Sequence, residues 1–160
     1  MKAATIQEIK QELRELKQQE LVAICQRLAR FKKENKELLT YLLFESHNEQ
    51  GYVEGIKKEI DELMETVNKN HIYFAKKTIR KILRLVNKYS RYSSSKQTEV
   101  ELLVYFCKSL KNSGIPLYQN AALNNLYINQ TRKVKKLMAG LHEDIQYDLS
   151  RELDDPCQND

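Results

Sequence analysis

Apolar residues along this chain recur every three or four positions, and almost nowhere do they alternate with polar ones. That period belongs to the α-helix, which returns positions i, i+3, i+4 and i+7 to one face. Ile6, Ile9, Leu13 and Leu16 predict a first helix. Thr5-Ile6-Gln7-Glu8 opens it as a capping box, the hydroxyl and the carboxylate satisfying free N–H groups of the first turn. Leu21, Ile24, Cys25 and Leu28 predict a second short helix over Gln19 to Arg30, and the polar run Lys32 to Lys36 separates it from a third. The third carries Leu38, Leu39, Leu42 and Leu43. With Tyr41 and Phe44 it is apolar nearly all round, which predicts burial on more than one side, inside the fold or at a subunit contact.

Ser46 to Gly51 marks a boundary, and the predicted helices lengthen beyond it. Val53, Ile56, Ile60, Leu63, Met64 and Val67 form one amphipathic helix ending at Asn68-Lys69-Asn70. The next runs from His71 to about Tyr92, with Ile72, Ala75, Ile79, Ile82, Val86 and Tyr89 on one face. After Ser93-Ser94-Ser95, Thr98-Glu99-Val100-Glu101 offers a second capping box, and the helix it opens stops at Ser113-Gly114-Ile115-Pro116. A last long helix is expected from about Gln119 to Leu153, with a kink near Asn129-Gln130-Thr131.

The expected fold is all-α: an antiparallel bundle of four longer helices with three shorter N-terminal helices. An α-solenoid of helical hairpins is the competing architecture, ranked second because no fixed-period repeat is visible. Residues 1–160 read as one helical domain, with a short-helix part over 1–48, a long-helix bundle over 49–153 and a frayed tail over 154–160.

Composition agrees. Four Gly and two Pro in 160 residues leave few strong breakers. Cys25, Cys107 and Cys157 are odd in number, widely spaced and without a CxxC pair, which argues against a disulfide framework and for a reducing compartment. Met1 to Glu8 has no apolar signal region, and the longest apolar run, Leu102 to Cys107, is far too short to span a bilayer. The expected location is cytoplasmic.

Little in the chain points to catalysis. His47, His71 and His142 form no His-x3-His pair, and no Cys stands at metal-ligand spacing from another Cys or a His. The Glu-x-x-His motif of di-iron bundles is absent, since positions 44, 68 and 139 are Phe, Asn and Ala. Gly51 and Gly55 lack the spacing of a phosphate loop, and Ser93-Ser94-Ser95 lacks the glycine elbow of an activated serine. His142-Glu143-Asp144, the densest titratable cluster, reads as a solvated helix face. The expectation is a non-enzyme with no metal and no cofactor.

Charge changes the picture. The net charge of +5 conceals a segment, Thr66 to Thr98, with no acidic residue inside it, while from Glu143 onward seven acidic residues face only Arg151. Lys76, Lys77, Arg80, Lys81, Arg84, Lys88 and Arg91 recur at helical steps and form a basic stripe opposite the apolar face. Tyr73, Phe74, Tyr89 and Tyr92 punctuate it. Such a stripe can bind nucleic-acid phosphates. The acidic helix before it, with Glu54, Glu59, Asp61, Glu62 and Glu65, or the acidic C-terminus, can instead neutralise it. The leading expectation is a helical interaction or scaffold protein with a protein partner or self-association. An accessory nucleic-acid binder using helix 76–91 comes second, and a peripheral membrane role third.

Three stretches, Cys25 to Leu39, Ser95 to Glu101 and Leu141 to Asp144, resemble a small family of uncharacterised all-helical bacterial proteins. That resemblance implies a helical fold and carries no assigned activity. Ile9 to Leu16 is also similar to the opening of SAP-type nucleic-acid modules, but lacks their glycine-containing turn.

Overall fold

The computed structural model describes residues 2–154, and 82% of these are helical, with no strand among them. The chain separates into two compact units, Met1–Phe44 and Glu45–Asp160. Of the predicted frayed tail, 154–160, Asp154 is the last residue of a helix, and the rest, with Cys157, lies outside the described residues.

Unit 1 holds α1 (Ile6–Glu15), α2 (Gln18–Phe31) and α3 (Lys33–Thr40), and α3 runs on into a π-helical turn, Tyr41–Glu45. The capping box of α1 forms: Thr5 Oγ1 accepts from Glu8 N at 3.3 Å, and Thr5 N donates to Glu8 Oε2 at 2.7 Å. A single extended residue, Lys32, parts α2 from α3, so the polar run after it is the first turn of α3 and not a linker. α2 packs against α3, yet no residue of α1, α2 or α3 is buried.

Unit 2 holds α4 (Glu49–Glu65), α5 (Ile72–Ser93), α6 (Lys96–Asn112), α7 (Ala121–Met138) and α8 (Glu143–Asp154), with a 3-10 turn at Leu117–Gln119. Its centre is α6, which touches α4, α5, α7 and α8. The sequence of α6 explains that position. Val100, Leu102, Leu103, Val104, Phe106, Cys107 and Leu110 are all fully buried and cover most of its circumference, as a helix surrounded by others requires. The other helices each add one stripe: Val53, Ile56 and Ile60 from α4, Ala75, Ile79, Ile82 and Val86 from α5, Leu123 and Val134 from α7.

Two expectations are corrected here. The long last helix is two helices, because Gly140 N closes on Leu137 O and Leu141 N on Met138 O in tight i+3 turns. A continuous helix over residues 119–153 would be about 50 Å long, roughly twice the length of α6. Interrupting it lets α8 return onto α6, where Leu149 and Leu153 are buried. No break occurs at Asn129-Gln130-Thr131, which lie inside α7. The second capping box is also displaced. Ser95 is the N-cap of α6, its Oγ accepting from Thr98 N at 3.2 Å. The Thr98 hydroxyl donates instead to Glu49 Oε1 at 2.5 Å, and Ser93 Oγ donates to the same oxygen. One carboxylate thus ties the start of α4 to the end of α5 and the start of α6.

The stop after α6 is as expected. Gly114 adopts φ +73°, a left-handed conformation open to glycine at little cost, and Pro116 follows.

Candidate interaction surfaces

The basic stripe occupies α5 as its periodicity requires. Taking the buried line Ala75, Ile79, Ile82, Val86 as the inner face, Lys77, Arg80, Arg84, Lys88 and Arg91 fall opposite it. Lys77, Arg80, Lys81, Arg84 and Arg91 are exposed, and Lys76 and Lys88 are half-buried. Lys88 is engaged by its own helix, with Nζ 4.6 Å from the centre of the Tyr89 ring. Among the described residues, none of Lys76, Lys77, Arg80, Lys81, Arg84 or Arg91 joins an ion pair. Arg84 Nε donates to Arg80 O and Arg91 Nε to Asn87 O, each at 3.3 Å. These bonds hold the two side chains against their own helix.

The acidic helix α4 turns part of its charge elsewhere. Lys57 Nζ sits 3.0 Å from Glu54 Oε1 and 2.8 Å from Glu101 Oε1 on α6. Tyr105 of α6 donates its hydroxyl to Asp61 Oδ2 at 2.6 Å. Burial foremost, then this bond and the nearby carboxylates, push the Tyr105 phenol well above its ordinary range, so it stays a protonated donor. Neither Glu59 nor Glu62 forms an ion pair with the stripe among the described residues.

A second basic run, Arg132-Lys133-Val134-Lys135-Lys136, lies far from the α5 stripe in the sequence. It lies on α7, with Val134 buried and Arg132, Lys135 and Lys136 exposed. Lys133 Nζ reaches Asn87 Oδ1 of α5 at 3.3 Å and pairs with Glu99 Oε1 of α6 at 2.7 Å. Only the packing of α5 and α7 on α6 brings the two runs together.

Unit 1 presents the opposite character. Ile6 is 81% exposed, Phe31 75% and Phe44 65%, and Ile9, Leu13, Val22, Ile24, Leu28, Leu42 and Leu43 are exposed with them. Of the two places expected for the apolar stretch 38–44, the inside of the fold takes Tyr41, whereas Leu42, Leu43 and Phe44 are exposed on the single chain. Between α2 and α3 an open groove of about 490 Å³ is lined by Leu21, Val22, Cys25, Ala29, Leu39 and Leu43.

Other candidate chemistry stays dispersed. His47 lies in the turn before α4, His71 occupies the N-cap position of α5 without a side-chain capping bond, and His142 stands between α7 and α8, with Nδ1 3.4 Å from Asp144 Oδ2 in an exposed contact. Among the described residues no group of three or more His, Cys, Asp or Glu is gathered to hold a metal, and no helix is long and apolar enough to cross a membrane. In comparison with known proteins, the chain matches no family model, no curated protein and no solved structure.

Proposed function

We propose that this chain is a non-enzymatic helical interaction protein of the cytoplasm that associates with a second copy of itself through unit 1. In this reading unit 2 is an antiparallel bundle built on α6 and serves as the stable body. Unit 1 is the docking element.

The observation that carries the reading is the exposure of unit 1's apolar side chains. A segment of roughly 40 residues seldom buries enough surface to be stable without a staple or a partner. Ten large apolar side chains between Ile6 and Phe44 are each at least 36% exposed, and a stable interface buries roughly 800 Å² per partner. Monomeric proteins rarely leave contiguous apolar patches of more than a few hundred Å². The occupant is a second copy, because the chain carries two complementary parts. The α2/α3 groove is apolar, and Ile6, Ile9 and Leu13 make a helical stripe on α1 of the kind that fills such grooves. Reciprocal exchange of these parts satisfies two-fold symmetry.

Light scattering on the eluting full-length protein tests this. The mass should approach twice the 18.9 kDa of the chain, and Leu13→Glu or Val22→Glu should return it to one chain with helical content unchanged. A wild-type protein that stays at monomer mass at concentrations of about 100 μM would overturn self-association.

A further inference from the structure

The basic face of α5 continues past the edge of its own helix. Arg80, Arg84, Asn87 and Arg91 follow one another at steps of four, three and four, so they form a single ridge. Asn87 is the member of that ridge that Lys133 of α7 touches, at 3.3 Å. The ridge therefore borders α7, and Lys136, one turn beyond Lys133, extends the surface on that side. The result is a two-helix face of Arg80, Arg84, Arg91, Lys133 and Lys136, against which Glu99, on Lys133, is the carboxylate that forms an ion pair.

We propose that this α5/α7 face binds the sugar-phosphate backbone of double-stranded nucleic acid without reading its sequence. Guanidinium groups match phosphate oxygens with two parallel bonds. Arg84 and Arg91 spend only Nε on their own helix, which leaves their Nη groups for an outside acceptor. From Arg80 to Arg91 the face spans about 16 Å along the helix axis, about five base-pair steps of a duplex.

Three features select a duplex over other polyanions. Single-strand binders interleave aromatic platforms with their charges. Here the exposed aromatics of α5, Tyr73 and Phe74, lie before Lys77, at one end of the face. A helix that docks on lipid inserts its apolar side. The apolar side of α5 is sealed in the core, with Ile79, Ile82 and Val86 all at 0% exposure. Protein interfaces are anchored by buried aromatic or aliphatic residues, and between Lys77 and Arg91 the exposed residues of α5 are all charged.

The test is fluorescence anisotropy of the full-length protein with labelled DNA duplexes of about 20 base pairs and unrelated sequence, titrated over a range of salt. Duplexes of different sequence should bind alike, with affinity falling steeply as salt rises. Arg80→Gln with Arg84→Gln should flatten the plot of log affinity against log salt by roughly 0.9 per contact removed. Lys133→Gln with Lys136→Gln should do the same. Lys136→Gln alone serves as the check, since Lys136 is exposed, takes part in no ion pair among the described residues and should cause no loss of fold. An unbound duplex at low salt would overturn the proposal. So would flattening by the α5 variant alone, which would leave α7 outside the surface. Equal binding to anionic lipid vesicles would overturn the duplex assignment.

Discussion

Cys107 shows how one residue type acquires different chemistry from its place in the fold. Cys25 is exposed on α2, whereas Cys107 is fully buried in α6. Burial pushes the Cys107 thiol up to about 11 from an ordinary value near 9, with the Thr131 hydroxyl opposing in part. A buried neutral thiol is a poor nucleophile. In a Cys157→Ser background at pH 8, with Val22→Glu added so that the groove Cys25 lines stays open, a thiol-specific reagent should therefore modify Cys25 at once and Cys107 only after unfolding. Equal rates at both positions in the native protein would refute the burial argument. The same shift has a consequence for stability. A group whose folded pKa is raised stabilises the fold below its unfolded pKa, and that contribution is lost as pH rises toward the folded value. Between pH 9 and 11 the protein should thus lose on the order of 2 kcal/mol from Cys107. Tyr105 and Lys57, both raised, act in the same direction at higher pH: Tyr105 through burial and Asp61, Lys57 because Glu101 and Glu54 outweigh its desolvation. Denaturant melts across this range, with Cys107→Ala beside the wild type, measure the cysteine's share.

The ends of elements, more than their interiors, decide how unit 2 closes. Ser94 ends α5 with φ +56°, a left-handed conformation that costs a side-chain-bearing residue roughly 1 kcal/mol. Glycine avoids that cost, at some loss of backbone entropy in the unfolded chain. Ser94→Gly should stabilise the protein by about 0.5 kcal/mol, read as a shift in the denaturation midpoint at unchanged slope. A destabilisation of about 1 kcal/mol or more would show that the weak bond from Ser94 Oγ to Arg91 O, 3.4 Å long, counts for more than the backbone strain. The N-cap Ser95 follows directly, so three serines in succession serve three purposes. Ser93 holds Glu49, Ser94 turns the chain and Ser95 starts α6.

At the scale of the molecule, the two units differ in kind. The buried cluster of unit 2 draws on α4 through α8 and includes no residue before Val53. Unit 2 should therefore fold by itself. A fragment beginning at Glu45 should keep its helicity and melt in one cooperative transition. A fragment that is molten, with helical signal but no cooperative transition, would show that residues before Glu45 are needed for the core. Unit 1 taken alone should be largely unfolded, for its helices have no core of their own. This contrast is also what distinguishes the two functional surfaces: an apolar one on the weakly packed unit and a charged one on the well-packed unit.

Helical period, the capping box at Thr5, the Gly114 stop and the segregation of charge along α5 were legible in the sequence, because each depends on residues within a turn or two of one another. Helix propensity and caps act locally, and the basic stripe needs only the 3.6-residue repeat. The break after Met138 was not legible, since a lone Gly140 lowers helix propensity by only about 1 kcal/mol and the return of α8 onto α6 outweighs it. Thr98 read as a cap from its own neighbours, but Glu49, distant in sequence, claimed its hydroxyl. That Leu42, Leu43 and Phe44 stand outside the fold was not legible either, for an all-round apolar helix reads alike whether the fold or a subunit contact covers it. Lys133 beside Asn87 belongs to the same class. Which local features meet is decided by long-range packing, here the seating of four helices on α6, and no short stretch of sequence encodes it.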